Sequence, residues 1–482
     1  MTSFLDEILV NFRMFGRYHG ELMVYLAIAY LCNGLYSVNY IFAAEEISYR
    51  CKDELFENNT CGKINSSKCT EFVYDQPNSF VAEYDLGCEE WKRTFVGTAH
   101  SLGYMFGLPI IGSLSDRLGR KKAVIITGVL GGLLGLAKSA SAWYWLYVVF
   151  EILEAAFGDI FSPVYILTVE MVETRKRVPY YIISFFGFSI GCTILAFVAW
   201  EVQYWRTFLR VIYAPSLLFI FYSFLIDESP RWLLTKGRKE EAVKTLQNAA
   251  KKNKIEIDIT ALDKMVYEDE KEMALTELLK TTFASKTLLL RFFVCTTWWA
   301  TSTFVNYGMT INSVSLQGNK YMNFAIVAII DGPGNVLIMF VMMKYKRKKP
   351  LLISFFVGAA MYIVQPFLPL NQTWLSIVVY TCGKLVSSFC FNITYMYTSE
   401  LFPTQTRNSM QALCSSLGRI GSILAPQTPL LKVYWDGLPM MIFCGAAIFA
   451  GLATFLVPDT AGDSLPDTVR QAEEIGTKKL SK

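Results

Sequence analysis

Long apolar runs alternate with shorter polar segments along the 482 residues of this chain. Each run has about 20 residues, the length that a helix needs to cross about 30 Å of hydrocarbon. Helices are expected because a backbone exposed to lipid must satisfy its own hydrogen bonds. The pattern therefore predicts twelve membrane-spanning helices, at residues 22–44, 94–113, 123–142, 143–172, 178–200, 208–226, 288–309, 321–343, 350–368, 374–397, 409–431 and 438–458.

The composition agrees with lipid as the main solvent. Hydrophobic residues make up 53% of the chain and charged residues only 18%, whereas about a quarter of an average soluble chain is charged. The net charge of +4 is too small to indicate nucleic acid as a partner. The first apolar run is long enough to remain as a span rather than to act as a cleaved signal peptide.

Basic residues predict the orientation. The loops after the second, fourth and eighth runs carry most of them: Arg117, Arg120, Lys121, Lys122, Arg175, Lys176, Arg177, Lys344, Lys346, Arg347, Lys348 and Lys349. The short loops on the opposite side carry only Lys138, Arg206, Lys320 and Lys432. Because basic loops stay in the cytoplasm, a multi-pass protein with both termini cytoplasmic is expected.

A long segment, 45–93, interrupts the even spacing on the outer side. It contains four cysteines and two glycosylation sequons: Cys51, Cys61, Cys69, Cys88, Asn58 and Asn65. An even number of cysteines on the oxidising side predicts two disulfides, with three pairings open, and the sequons predict N-linked glycans. Free thiols are the alternative. Together these motifs predict delivery to the plasma membrane.

A second insertion, 227–287, is expected in the cytoplasm. Its acids and bases are mixed, and residues 238–252 have the pattern of an amphipathic helix. The predicted organisation is a cytoplasmic N-terminus (1–21), a six-helix half (22–226), a cytoplasmic linker (227–287), a second six-helix half (288–458) and a cytoplasmic tail (459–482).

Two short motifs recur at nearly the same offset. The pattern Y-x-x-T-x-E at 165–170 returns 230 residues later at 395–400, and F-L-I-D-E-S at 224–229 is similar to F-L-V-P-D-T at 455–460, 231 residues later. The matches fall at equivalent helix ends. They predict an all-α membrane protein of two pseudo-symmetric six-helix halves, with the substrate held between them near mid-membrane.

The segment G-S-L-S-D-R-L-G-R-K at 112–121 separates the second and third runs. Gly112 is predicted to let two helices approach closely, and Asp116 to pair with cations near a helix end. The segment resembles the signature loop of the major facilitator superfamily, in which the acid and arginine form a cytoplasmic latch that breaks when the protein opens inward. Its second-half counterpart, 343–347, lacks the acid, so the latch is expected to be asymmetric. We assign a gating role to Gly112, Asp116, Arg117, Arg120, Glu170, Glu228, Arg231, Glu400 and Arg407.

Further motifs narrow the resemblance. They are D-E-S-P-R-W-L-L at 227–234, Y-M-Y-T-S-E-L-F-P-T at 395–404 and L-P-D-T at 465–468. With the cysteine-bearing outer loop, this ordered set is similar to the organic cation, anion and carnitine transporter family, across nearly the whole chain. The resemblance implies a carrier of small organic ions such as organic cations or carnitine. An organic anion carrier and a sugar-type carrier of the same superfamily are the alternatives.

Charges within the predicted spans mark candidate substrate contacts, because a charge near the bilayer centre costs about 3 kcal/mol or more. Asp331 and Arg419 are predicted to bind the two ends of a zwitterion. In the family, the Arg419 position tends to be basic in anion and carnitine carriers and acidic in cation carriers. Lys384, Trp298 and Tyr307 are the other predicted contacts, the rings being suited to cation–π contact. The alternative is that these charges only pair with one another.

Other chemistries find little support. The chain lacks a phosphate-binding P-loop motif, which argues against ATP-driven pumping. His19 and His100 have no metal-binding spacing, so neither an enzyme, a metal site nor a cofactor is predicted. Acids at 151 and 154 argue mildly against proton coupling, but sodium, proton and uncoupled transport all stay open. The repeat favours a monomeric carrier over an oligomeric channel, and a transporter-like sensor is a further alternative.

Overall fold

A computed structural model describes residues 5, 8–52, 71–257, 283–344, 347–369, 371–403, 406–460 and 469–475. The chain divides into two compact units, 1–268 and 269–482. Cys61, Cys69, Asn58 and Asn65 lie outside the described residues, so the structure describes only two of the six outer-loop positions singled out above.

Helices form most of the first unit. They are α1 (Arg17–Tyr36), α2 (Tyr40–Ala43), α3 (Phe80–Glu83), α4 (Glu90–Leu118), α5 (Arg120–Ser139), α6 (Tyr144–Phe157), α7 (Phe161–Glu170), α8 (Arg177–Glu201), α9 (Trp205–Tyr213), α10 (Tyr222–Leu225), α11 (Pro230–Thr235) and α12 (Lys239–Asn253), with 3-10 turns at Thr174–Lys176 and Ala214–Phe221.

Helices form most of the described part of the second unit. Its elements are α13 (Lys286–Asn312), α14 (Lys320–Ile329), α15 (Asp331–Lys344), α16 (Lys348–Val364), α17 (Thr373–Leu401), α18 (Arg407–Leu424), α19 (Leu438–Thr454) and α20 (Val469–Glu474), with 3-10 turns at Ser313–Ser315, Gln365–Phe367 and Ala425–Val433.

Nine helical segments of the described chain are long and apolar enough to cross a membrane. Three more helices, α4, α18 and α19, coincide with the other predicted runs. α4 carries charged residues at both ends, α18 contains two arginines, and α19 has only 17 residues. With these three, each unit contains six spans, in the order that the sequence predicts.

The fourth and eighth spans are each interrupted just before a proline. The fourth breaks between α6 and α7, around Gly158, and the eighth breaks at Ile330, between α14 and α15. Pro163 and Pro333 follow these breaks, and proline has no N–H to continue the hydrogen-bond ladder of a helix. Asp331 therefore lies at the start of a new helix within a membrane span.

Glycines set the close packing of α1 against α8. A β-carbon on Gly187 would lie 2.0 Å from the carbonyl oxygen of Ala27, and one on Gly34 would lie 2.4 Å from that of Phe188. In the second unit, Gly418 of α18 packs on Trp299 of α13 in the same way, with 2.5 Å to its Cβ. Gly187 and Gly418 are 231 residues apart, so the repeat extends to the helix contacts themselves.

The outer segment packs on the first unit. Strands β1 (Tyr49–Cys51) and β2 (Phe72–Tyr74) form an antiparallel pair, and Phe80 lies edge-on against Trp205 at 5.3 Å. The Tyr84 hydroxyl hydrogen-bonds Ser141 Oγ at 2.7 Å, and burial raises the pKa of Tyr84.

The helix predicted in the linker also packs on this unit. The Tyr18 backbone donates to the side chain of Asn253, at the end of α12 (2.9 Å), and Lys252 pairs with Glu21 of α1 (2.9 Å).

Candidate functional site

Gly119 forms the turn between α4 and α5. Its φ of 105° lies in the left-handed region, which favours glycine. A β-carbon there would lie 2.2 Å from the Glu228 carboxylate. That carboxylate accepts from the backbone N–H groups of Arg120 (2.8 Å) and Lys121 (3.0 Å), at the start of α5. Glu228 therefore caps the helix that carries the motif arginine, because an anion at a helix N-terminus satisfies free N–H groups.

Arg120 is the centre of this site. Its guanidinium donates to Glu170 through Nε (3.1 Å) and Nη2 (3.0 Å), and to Asp116 through Nη1 (2.7 Å). The same Nη1 reaches the Ser115 carbonyl at 2.9 Å. Asp116 is largely exposed, whereas Arg120 and Glu170 are mostly buried. The ion pair of Arg120 with Glu170 is therefore stronger than its ion pair with Asp116. The sequence repeat, rather than the loop motif, identified Glu170.

The other residues of the predicted latch have different surroundings. Arg231 Nε donates to the Glu170 carbonyl at 3.2 Å, so it joins the Arg120 site. The Arg117 side chain is exposed. A β-carbon on Gly112 would meet no described atom of the first unit within 4 Å, so the close helix approach expected there stays a prediction. Gly103 and Gly107, earlier in α4, make close contacts within that unit.

The second unit contains a simpler version of the site. Arg347 Nε donates to Glu400 Oε1 at 3.0 Å, and the Thr460 hydroxyl donates to Glu400 Oε2 at 2.7 Å. Arg407 is the first residue of α18 and is partly buried. Arg347 occupies the place of Arg120 and Glu400 that of Glu170, while the sequence offers no acid equivalent to Asp116.

We expect Arg120→Ala to lower the stability of the first unit more than the control variant Arg117→Ala, which changes an exposed arginine nearby. Removing one partner of a mostly buried ion pair costs about 3–5 kcal/mol, whereas an exposed substitution changes stability by about 0.5 kcal/mol or less. Thermal unfolding of the purified variants measures the difference. Combining Arg120→Ala with Glu170→Ala should give a clearly less than additive loss, and strict additivity would mean that the two side chains do not interact.

Lys384, Asp331, Asn306 and Ser388 form a second polar group, inside the second unit. The Lys384 ammonium is almost fully buried and donates to Asn306 Oδ1 at 2.8 Å, with Asp331 Oδ2 at 3.5 Å. Ser388 donates to Asp331 Oδ1 at 2.6 Å, and Asn306 donates to Ser388 Oγ at 3.1 Å. The Asp331 side chain is 20% exposed. The ion pair that the alternative interpretation of the sequence predicts, Asp331 with Lys384, is therefore present.

The remaining predicted contacts separate into packed and accessible residues. Trp298 is fully buried, lies parallel to Tyr397 at 5.0 Å and donates from Nε1 to Thr454. A ring enclosed in this way offers no face to a substrate, so the predicted contact at Trp298 is corrected to core packing. Tyr307 and Arg419 are partly buried, on α13 and α18.

The structure corrects the predicted position of one charged residue, Lys138. Lys138, counted above among the outer loop bases, is fully buried in the last turn of α5. Its ammonium donates to Glu151 of α6 at 2.8 Å, and Glu151 in turn lies 2.8 Å from His100 of α4. The sequence contains a signal for this arrangement, because Lys138 stands in an apolar run opposite two acids of the following span.

Comparisons with known proteins agree on the class. The family described as sugar (and other) transporter matches residues 56–470. An organic cation transporter protein of Drosophila melanogaster is 32% identical, over 85% of this chain and 77% of that protein. Solute carrier family 22 member 3 of Rattus norvegicus is 30% identical, over 84% of this chain and 73% of that protein. Solute carrier family 22 member 6-A of Xenopus laevis is 31% identical, over 86% and 76%.

Solved structures agree on the fold. The xylose transporter XylE of E. coli, in a partially occluded inward-open conformation, has a TM-score of 0.63 at 17% identity, over 93% of this chain and all of that chain. An inward-open form of the same transporter gives 0.62 at 15% identity. The likeness confirms the twelve-helix fold that the apolar runs predict, and at this identity it carries no information on substrate.

Proposed function

Because the chain belongs to the sugar (and other) transporter family and to solute carrier family 22, we propose that it moves small organic cations or zwitterions such as carnitine across the plasma membrane by alternating access. Relatives named as organic cation transporters support the organic-ion part of this proposal. The choice of a cation or zwitterion rests on the charges of the second unit.

The Asp331–Lys384 pair is the observation that carries the proposal. Its ammonium is buried, while its carboxylate is partly exposed. Burying charges inside a membrane span is costly, and such residues usually mark a substrate or ion pathway. Lys384 and Ser388 fix the position of Asp331, and the exposed part of its carboxylate is free to meet an organic cation. A quaternary ammonium group needs no hydrogen-bond acceptor, so charge attraction and contact with aromatic rings suffice, and Tyr307 is the ring we propose for that contact.

Arg419 supports the zwitterion over a simple cation. The charged residues predicted to contact substrate are two cations, Lys384 and Arg419, and one anion, Asp331. A substrate with a carboxylate as well as an ammonium group matches that set, because guanidinium groups bind carboxylates strongly. An organic anion carrier is the second candidate, since the same set has a net positive charge.

Uptake into cells that express the chain tests the proposal. Labelled carnitine, tetraethylammonium and an aromatic carboxylate are compared with and without sodium. Saturable uptake of carnitine or tetraethylammonium is the expected result, and sodium dependence would identify the coupling ion. Uptake of the carboxylate alone would favour the anion carrier, and no uptake by protein that is present at the surface would contradict an organic-ion carrier.

Replacing Arg419 by Asp is expected to shift the preference from carnitine toward tetraethylammonium. The substitution replaces a guanidinium that would bind the substrate carboxylate by a carboxylate that repels it. We therefore expect the ratio of the two uptake rates to change at least about tenfold, or about 1.4 kcal/mol. Arg419→Lys, which keeps the charge, is the control. An unchanged ratio, with normal surface expression, would remove Arg419 from the site.

The orientation and the outer loop belong to the same proposal. We place both termini in the cytoplasm, the segment 45–93 outside, and two disulfides and N-linked glycans in that segment. Cys51 and Cys88, each disulfide-bonded rather than a free thiol, support the disulfides. In this orientation the Arg120 site faces the cytoplasm and fits a gate, because its ion pairs can break and reform as the unit moves.

A further inference from the structure

A group of charged side chains lies inside the first unit, far from the Arg120 site. We call it the His100 cluster; it consists of His100 (α4), Lys138 (α5), Glu151 and Glu154 (α6). Both glutamates and the lysine are at most 2% exposed. Lys138 lies 18 residues beyond Arg120 along α5, or roughly 27 Å at 1.5 Å per residue. The cluster is therefore at the opposite end of the span from the loop that carries the motif.

In the His100 cluster, each glutamate lies close to both Lys138 and His100. Glu151 binds Lys138 Nζ with one oxygen and His100 Nδ1 with the other, both at 2.8 Å. Glu154 Oε2 lies 3.7 Å from Lys138 Nζ and 3.8 Å from His100 Nδ1. It has no hydrogen-bond partner among the described residues, although Glu154 is 98% buried. This carboxylate oxygen is buried, has no hydrogen-bond partner and lies near two nitrogen atoms. The arrangement indicates that the cluster binds one further species.

Charge balance identifies what is missing. With a neutral imidazole the cluster has two negative charges and one positive charge. A net charge buried inside a protein is costly, and one added proton makes the cluster neutral. On His100 that proton produces an imidazolium, so that two cations face two carboxylates. Binding one proton from the medium changes the charge by +1 and needs no other reactant.

A metal ion fits the same residues less well. The candidate ligand atoms of His100, Glu151 and Glu154 lie within 4.8 Å of one another, which is compatible with a metal. However, Lys138 Nζ already lies between the two carboxylates, at 2.8 and 3.7 Å. The Lys138 ammonium would repel a metal ion. A proton instead binds to the imidazole of His100 and leaves the ammonium in place.

The other groups at the cluster are neutral. Asn39 Oδ1 lies 3.5 Å from Lys138 Nζ, and the Tyr213 hydroxyl of α9 lies at 3.2 Å. Tyr147 of α6 lies beneath the ammonium, with 5.7 Å to the ring centroid, and Tyr40 of α2 contacts the imidazole, with 5.4 Å between rings. Tyr36 stacks on Tyr213 at 4.8 Å. These hydroxyl and amide groups orient the ions without changing the proton count.

We propose that the His100 cluster is a binding site for a single exchangeable proton, carried on His100, and that its occupancy alters the transport rate. The cluster joins α4, α5 and α6, so a change in its charge acts on three helices at once. The proton site stands on the cluster alone, whereas the effect on rate rests on the proposed transport function.

Histidine-selective NMR tests proton binding directly, because the chain has only two histidines. The full chain, labelled on histidine and held in lipid nanodiscs, gives signals from His100 and His19, assigned by comparison with His100→Gln. The pH is varied over the range in which histidines in general change charge, about pH 5 to about pH 8, and we expect the His100 signals to pass reversibly from those of imidazolium to those of neutral imidazole. In Glu154→Gln, which removes one negative charge, His100 should be neutral at a pH where it is charged in the wild type. His19 is the internal control, and its titration should be the same in both proteins.

A His100 signal that stays neutral, or stays charged, over that whole range overturns the proton site, and the wild-type titration decides this even if Glu154→Gln fails to fold. Equal His100 titrations in wild type and folded Glu154→Gln also overturn it. The coupling is then tested by uptake of tetraethylammonium and carnitine. We expect at least about a threefold change in wild-type uptake over the same pH range, and a flat profile in Glu154→Gln. Equal pH profiles of uptake in the two proteins overturn the coupling. If the wild type shows no uptake at any pH while His100 titrates, the proposed transport function has failed and the effect on rate falls with it. The proton site stands in that case.

Discussion

Replacing Lys384 by Met is expected to reduce uptake at least about tenfold, or about 1.4 kcal/mol, in protein that still reaches the cell surface. The change removes the ammonium that Asn306 and Asp331 share. Asp331 is then left without its ionic partner inside a membrane span, where an unpaired charge is costly. We expect it to take up a proton or to move, and in either case a substrate cation loses its partner. Initial uptake rates, corrected for surface expression, measure the effect.

The double variant Lys384→Met with Asp331→Asn separates structure from binding. It is neutral, so we expect stability and surface expression nearer to wild type than in either single variant. If Asp331 contacts the substrate cation, uptake stays low despite the recovered expression. Recovery of uptake would show that the pair only stabilises the second unit and would remove Asp331 from the site.

Replacing Gly187 by Ala is expected to destabilise the first unit by about 1–3 kcal/mol. The added β-carbon would lie 2.0 Å from the Ala27 carbonyl oxygen, and backbone cannot move aside as a side chain can. Helices α1 and α8 must therefore separate. Gly34→Ala makes the same test from the other helix, with 2.4 Å to the Phe188 carbonyl. Thermal unfolding and the fraction of protein at the surface are the measurements.

Gly20→Ala is the matched control for this prediction. Gly20 lies in α1, as Gly34 does, but a β-carbon there would meet nothing within 4 Å. Alanine favours a helix by about 1 kcal/mol relative to glycine, so the control should be neutral or slightly stabilised. Similar losses in Gly20→Ala and Gly34→Ala would contradict the close contact as the cause.

Apolar run length predicted the spans well because the rule behind it is simple. A span must be about 20 residues long whatever it packs against, so α8 and α17 lie close to their predicted positions. The break in the eighth span was also foreseeable from Gly332 and Pro333. The division of the fourth span into α6 and α7 was not predicted, although Gly158 and Pro163 provide a similar signal there.

Side-chain partners were harder to predict because they depend on which helices meet. Lys138 was assigned to an outer loop from its position at the end of a run, but α5 continues through it and buries it. Trp298 fits a substrate cavity by residue type, whereas Tyr397 and Thr454 enclose it. Gly112 and Gly187 look alike in sequence, and only the packing of neighbouring helices shows which of them makes a close contact within the first unit.

The repeat was the most informative signal for function-bearing residues. It identified Glu170 and Glu400 from a six-residue pattern, and each proves to be the ion-pair partner of a basic-loop arginine, Arg120 or Arg347. A duplicated unit must solve the same charge problem twice, so equivalent positions keep equivalent partners. The exception is the acid equivalent to Asp116, whose absence was predicted directly from residues 343–347, which contain no acid.

Counterflow by the purified chain in liposomes tests the central claim, transport of organic ions by alternating access, most directly. Liposomes are loaded with unlabelled carnitine or tetraethylammonium, or left empty, and the entry of the labelled compound is followed. A carrier with one site that faces the two sides in turn predicts faster entry into the loaded liposomes. Equal rates would indicate a channel, and no entry in either case, with protein that unfolds cooperatively on heating, would contradict transport of these ions altogether.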